Sequence, residues 1–244
     1  MIRAAALALL VAACTPGNVP QDMPVRTDLP VEPPPPAAPP SCAEAWRGRS
    51  PSDRAYDPRR DAGPAAYLER LGRARCRKPW LVLVYMAADT ADLPTYALGD
   101  MDELAGALAR PGVDDQVDVL VQLDVDAPPG LVRHSLAPPR GELERLPERD
   151  EPPADPLAAF LEWGLARFPA DRVMLVLWGH GQGWRPAGPA AGPVRYSESG
   201  QVGGFGFDHS QGTVLDIPAL AGAPEPAAAT RGRADLDVLV ADAC

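Results

Sequence analysis

Four runs constrain this chain more than any other feature: residues 80–86 (WLVLVYM) and 173–178 (VMLVLW), apolar throughout, and residues 117–123 (VDVLVQL) and 236–241 (LDVLVA), broken only by one or two polar residues. A run apolar throughout, with no alternation, suits a strand covered on both faces, which is the situation of a strand inside a parallel sheet. Between the runs lie segments of helical period. Residues 93–110 follow a polar turn (Ala88-Asp89-Thr90-Ala91-Asp92) and close at Pro111-Gly112, and residues 156–168 place Leu157, Phe160, Leu161 and Leu165 on one face. A shorter strand pair is expected over 131–136 and 143–146, and a small helix near 217–221. Strands alternating with helices predict an α/β sheet with helices on both faces.

The N-terminal third is organised differently. Arg3, the apolar run 4–10 and Val11-Ala12-Ala13-Cys14 read as an export signal. The run is too short to span a bilayer as a helix. Small residues before a cysteine resemble a lipobox, which implies cleavage after residue 13 and a lipid anchor on Cys14. The alternative is an ordinary cleaved signal with a chance cysteine. Residues 14–41 are a proline-rich tether favouring extended polyproline II geometry. Residues 42–79 are a polar, Arg-rich extension with a short helix expected around 65–75, and the domain proper is expected over 80–244.

A net charge of −10 argues against a nucleic-acid partner. It suits a basic polypeptide. If the protein is exported, Cys42 and Cys76 could pair in oxidising surroundings or could remain free thiols. In the paired case Cys244 is left as an unpaired, potentially reactive thiol.

Functional groups in open α/β sheets collect beyond the carboxyl ends of the strands. Two runs end in chemically able residues: Trp178-Gly179-His180-Gly181 and Ala241-Asp242-Ala243-Cys244. A thiol nucleophile needs an imidazole to take its proton and return it to the leaving amine. The glycines beside His180 let backbone N–H groups approach a substrate, as an oxyanion hole requires, with Gly181 and Cys244 as the donors. Taken singly, each feature has a plainer explanation: a structural histidine, an inert buried cysteine, and an Asp242 that only caps a strand end.

These residues resemble the clostripain-type cysteine peptidases, relatives of caspases. The resemblance is carried by 80–86 with Ala87-Ala88-Asp89, by Gly99-Asp100-Met101-Asp102-Glu103-Leu104, by the stretch LWGHGQGW over 177–184, by Phe207-Asp208-His209-Ser210-Gln211-Gly212 and by Asp242-Ala243-Cys244. It implies a caspase-like, mostly parallel sheet flanked by helices. It also implies a cysteine endopeptidase with His180 as base and Cys244 as nucleophile, polypeptide substrates cut after Arg or Lys, and Asp242 guiding the basic side chain. No cofactor is needed for the chemistry. Calcium dependence is an expectation from the resemblance alone, attached to the acidic group Asp89, Asp92, Asp100 and Asp102, which lacks the pattern of an EF-hand loop. Of the remaining histidines, His134 is expected at the surface and His209 in a loop that could line the site.

Two departures stand out. The excess length between His180 and Cys244 lies in the segment 185–204, and the sequence stops at the nucleophile-bearing strand. The expectation is a truncated sheet with an exposed edge, inactive as it stands. The alternative function is a non-catalytic, membrane-anchored lipoprotein of the cell envelope that keeps the fold for peptide binding, or a passive envelope protein in which the tether matters.

Overall fold

The apolar runs become the centre of a three-layer sandwich. The computed structural model describes residues 37–126, 130–137, 139–147, 154–181, 204–208, 212–215, 217–222 and 236–243, and those from Ala38 onward belong to one compact unit. The strands are β1 (Lys78–Ala87), β2 (Val117–Val125), β3 (Gly130–Ser135), β4 (Gly141–Leu146), β5 (Ala170–Gly179), β6 (Phe205–Asp208), β7 (Thr213–Leu215) and β8 (Val238–Ala243). Six of them form one sheet in the order β4-β3-β2-β1-β5-β8. The strands β2, β1, β5 and β8 run parallel, and the β3–β4 hairpin adds an antiparallel edge.

The side-chain period of two divides β1 between two cores. Leu81, Leu83, Tyr85 and Ala87 face one side, where α5 (Ala154–Arg167) contributes Leu157, Phe160 and Leu161. Val84, Met86 and Ala88 face the other, where α4 (Leu93–Leu108) contributes Ala97, Met101 and Leu108. Helices therefore lie on both faces, as the alternation predicts. Being covered on both sides is what requires β1 to be apolar along its length.

The extension 42–79 packs into this unit. It forms α1 (Cys42–Ala45), α2 (Pro51–Arg54), α3 (Pro64–Leu71) and a 3₁₀ turn (Arg73–Arg75), so the helix expected over 65–75 changes geometry at Gly72, which takes a left-handed conformation (φ 71°). A disulfide joins Cys42 to Cys76, with Cα atoms 4.8 Å apart. Around it Trp46, Tyr67 and Leu71 make a small core. Buried Arg73 donates from Nε to Asp118 Oδ2 at 2.8 Å, and Lys78 Nζ donates to Asp118 Oδ1 at 2.9 Å. Burial alone would raise the Asp118 carboxyl, but the charges of Lys78 and Arg73 hold it below its usual range.

The last parallel strand begins at Val238 rather than 236 and runs through Ala243, because residues 238–243 are the ones that find partners on β5. Among the described residues β8 pairs with β5 alone, and Leu239 is 55% exposed. His134 departs from its expected surface position. It is half-buried on β3, which is flanked by β2 and β4, and burial lowers its imidazole from the ordinary value. Among the described residues no helix is long and apolar enough to cross a membrane.

Candidate active site

The site lies at the carboxyl ends of β1, β5 and β8. Gly179 closes β5 with φ 150°, and a Cβ there would come within 2.8 Å of the Ala87 carbonyl oxygen on β1. Only glycine lets the two central strands end this close together. His180 follows immediately. Its carbonyl accepts a hydrogen bond from the Gly206 N–H at 3.0 Å, which fixes its backbone to β6. Gly181 then forms an antiparallel bridge with Phe205. The bonding in this bridge runs through the flanking residues, so Gly181 does not spend its own N–H on Phe205.

The His180 side chain is 38% exposed and reaches across to the loop after β1. Its Nε2 lies 3.2 Å from both Oδ1 and Oδ2 of Asp92, the residue before α4. Thr90 donates its hydroxyl to Asp92 Oδ1 at 2.9 Å. The bond from His180, then that from Thr90, holds the Asp92 carboxyl below the usual carboxylate range, so it is ionised at neutral pH.

The parallel register pairs Trp178 with Asp242 and Gly179 with Ala243. His180 and Cys244 are thus the residues next in sequence after one register pair. Cys244 itself lies outside the described residues, as do Cys14 and His209. Gly181 is in contact with that strand: a Cβ on it would stand 3.0 Å from Ala243 Cβ. Asp242 is exposed on β8 and lines an open groove of about 650 Å³ on the α4 side of the sheet, together with Trp178, Asp100, Glu103 and Leu104. The Trp178 indole N–H donates to Asp100 Oδ2 at 2.8 Å, fastening α4 to β5 along this groove.

The acidic residues considered for calcium do not converge. Asp92 holds His180, Asp100 takes the Trp178 indole, Asp102 pairs with Arg140, and buried Asp89 finds no hydrogen-bond partner for either carboxylate oxygen among the described residues. Among the described residues no group of three or more His, Cys, Asp or Glu could hold a metal ion. As placed, these four carboxylates do not form a calcium site.

The pairing of His180 with Asp92 was not evident in the sequence, where Asp92 reads as part of a polar turn. The available signal was Thr90-Ala91-Asp92 before a helix: two residues able to cap, where one suffices.

Sheet order, covering helices and a histidine ending a central strand define a caspase-like α/β domain. The sequence profile of the clostripain family, peptidase family C11, matches residues 84–244. The chain belongs to that family. Among solved structures, a secreted C11 cysteine protease from Bacteroides thetaiotaomicron, "iotapain", is similar at a TM-score of 0.52 and 16% identity, over 69% of this chain and 47% of that one. This likeness establishes the shared fold. A secreted C11 cysteine protease from the same organism in complex with an irreversible peptide inhibitor gives a TM-score of 0.45 at 23% identity, over 68% of this chain and 43% of that one. A B. fragilis cysteine protease gives 0.40 at 23% identity, over 47% of this chain and 98% of that one. The chain spans under half the length of the two B. thetaiotaomicron proteins. No match was found among curated proteins.

Proposed function

We propose that this protein is a cysteine endopeptidase cutting after Arg or Lys, with His180 as general base and Cys244 as nucleophile. The observation carrying the reading is the β5–β8 register, in which Gly179 pairs with Ala243. Neighbouring strands lie about 4.8 Å apart, which supports a dyad drawn from the residues that follow these two strand ends. The imidazole takes the Sγ proton, and the thiolate attacks the substrate carbonyl carbon. The N–H groups of Gly181 and Cys244 donate to the developing oxyanion, and the imidazolium returns its proton to the leaving amine. Water then hydrolyses the thioester. Asp242, facing an open groove, offers a carboxylate to a guanidinium or ammonium group.

The test is alkylation of the protein as its gene encodes it, beside turnover of Arg and Lys peptides. Cys244 should react faster than an ordinary thiol, because a neighbouring imidazolium favours the thiolate, and His180→Ala should remove both this preference and turnover. An unreactive Cys244 together with an inert protein would favour the peptide-binding alternative.

We also propose export with a lipid anchor on Cys14. The Cys42–Cys76 disulfide supports an oxidising compartment, and the two B. thetaiotaomicron proteins are described as secreted. Fatty-acid labelling that persists in Cys14→Ala would refute the anchor.

A further inference from the structure

The loop between β1 and α4 contains an arrangement that helix capping alone does not explain. Asp is among the preferred residues at a helix N-cap, where its carboxylate ordinarily accepts a backbone N–H of the first turn. Asp92 occupies the N-cap of α4 and makes no such bond. Thr90 does it instead, its buried hydroxyl oxygen accepting the Leu93 N–H at 3.2 Å. The same hydroxyl donates its proton to Asp92 Oδ1 at 2.9 Å. The Asp92 carboxylate is thereby released from capping, held from behind, and aimed outward at His180 Nε2, with 3.2 Å to each oxygen.

We propose that Asp92 is a positioning residue for His180 and that Thr90 positions Asp92, forming a Thr90–Asp92–His180 chain that holds the imidazole. The inference rests on the peptidase reading. An ionised carboxylate can only accept hydrogen bonds, so Nε2 must carry the hydrogen that meets it. The lone pair of the neutral ring is then on Nδ1, and Nδ1 is the atom that takes the Cys244 proton. The Gly206 N–H on the His180 carbonyl fixes the backbone and Asp92 fixes the ring, so the base is held at both ends. During the reaction the same carboxylate stabilises the imidazolium. Asp92 remains a carboxylate throughout.

The experiment compares Asp92→Ala, Thr90→Val and Thr90→Ser with the unaltered protein and with His180→Ala, reading peptide turnover and the Cys244 alkylation rate. Asp92→Ala should lower kcat about 10- to 100-fold with KM nearly unchanged, a part of the roughly 10²–10⁴ that general acid–base catalysis supplies. Added formate should restore activity in Asp92→Ala saturably and leave the unaltered protein unaffected, which a purely structural role would not produce. Thr90→Val should lower kcat in the same sense, and Thr90→Ser, which keeps the hydroxyl, should retain it. Asp92→Ala with unchanged kcat and alkylation, in a protein that His180→Ala inactivates, overturns the positioning role alone. A loss in Asp92→Ala that formate does not relieve, with Thr90→Val active, overturns it as well. If His180→Ala changes neither readout, the peptidase reading falls and takes the chain with it.

Discussion

Gly181→Ala separates the geometry of the site from the stability of the fold. Gly181 does not have a positive φ, so the substitution introduces no backbone strain and only space matters. The new Cβ would stand 3.0 Å from Ala243 Cβ, whereas apolar carbons rest about 3.5–4.0 Å apart. Something must yield by a few tenths of an ångström. β8 is the side that gives, since among the described residues it pairs on one edge only and its side chains from 239 onward are exposed. Overpacking a rigid core costs about 1–3 kcal/mol, and a yielding edge should bring this below about 1 kcal/mol. The displacement passes to Cys244, the next residue. A misplacement of 1 Å costs about 100-fold in rate, so a few tenths should cost roughly 5- to 10-fold. Gly179→Ala is the contrast: φ 150° and a Cβ 2.8 Å from the Ala87 carbonyl set it against the middle strand, which cannot move, and the protein should lose its fold. Urea unfolding and peptide turnover measured on both variants check this. Full turnover in Gly181→Ala, or a folded and active Gly179→Ala, would refute the argument that these glycines set the spacing of the strand ends.

Replacing Cys42 and Cys76 by alanine should lower unfolding free energy by about 3–4 kcal/mol, from the loop entropy of a 34-residue separation; urea midpoints with and without reductant would show it. Asp118→Asn leaves Arg73 and Lys78 buried without their anion and should cost about 3–5 kcal/mol at neutral pH. Because the folded pKa of Asp118 lies below its unfolded value, its contribution is present above about pH 4 and is lost as pH falls through the folded pKa; stability measured against pH should therefore flatten in the acid range in the variant. Asp242→Asn should lower kcat/KM on Arg and Lys peptides about 30-fold, the equivalent of about 2 kcal/mol for an unmatched cation, and equal loss on peptides with a neutral side chain at the cut would return Asp242 to a strand-end role.

The sheet was legible because burial on both faces leaves a mark that needs no partner to read: 80–86 and 173–178 are apolar throughout and became β1 and β5. The β6–β7 hairpin was missed. Its strands have four and three residues, too short for alternation to register, and Gly206 hides the run that Phe205 and Phe207 would otherwise form. The integration of 42–79 was also hidden. In the sequence Arg73 and Lys78 are only members of a polar, Arg-rich stretch, and the fold supplies the buried Asp118 that they pair with. Within the site, the glycines beside His180 announced a close approach, but the residue meeting the imidazole could not be read from spacing, since Asp92 is 88 positions away.

Helix α4 links these observations. It is fastened to β5 twice, by Asp92 on His180 and by Asp100 on the Trp178 indole. His180 and Trp178 are two residues apart and Asp92 and Asp100 are eight apart, so a strand advancing about 3.3 Å per residue is matched to a helix advancing 1.5 Å per residue. The two contacts span about 7 Å on the strand and about 12 Å on the helix. A slide of α4 along β5 would break both bonds at once. One contact sets the imidazole and the other sets a wall of the groove that Asp242 faces. A substitution loosening α4 as a whole should therefore disturb proton transfer and discrimination for basic side chains together, whereas Asp92→Ala should disturb the first and leave the second intact.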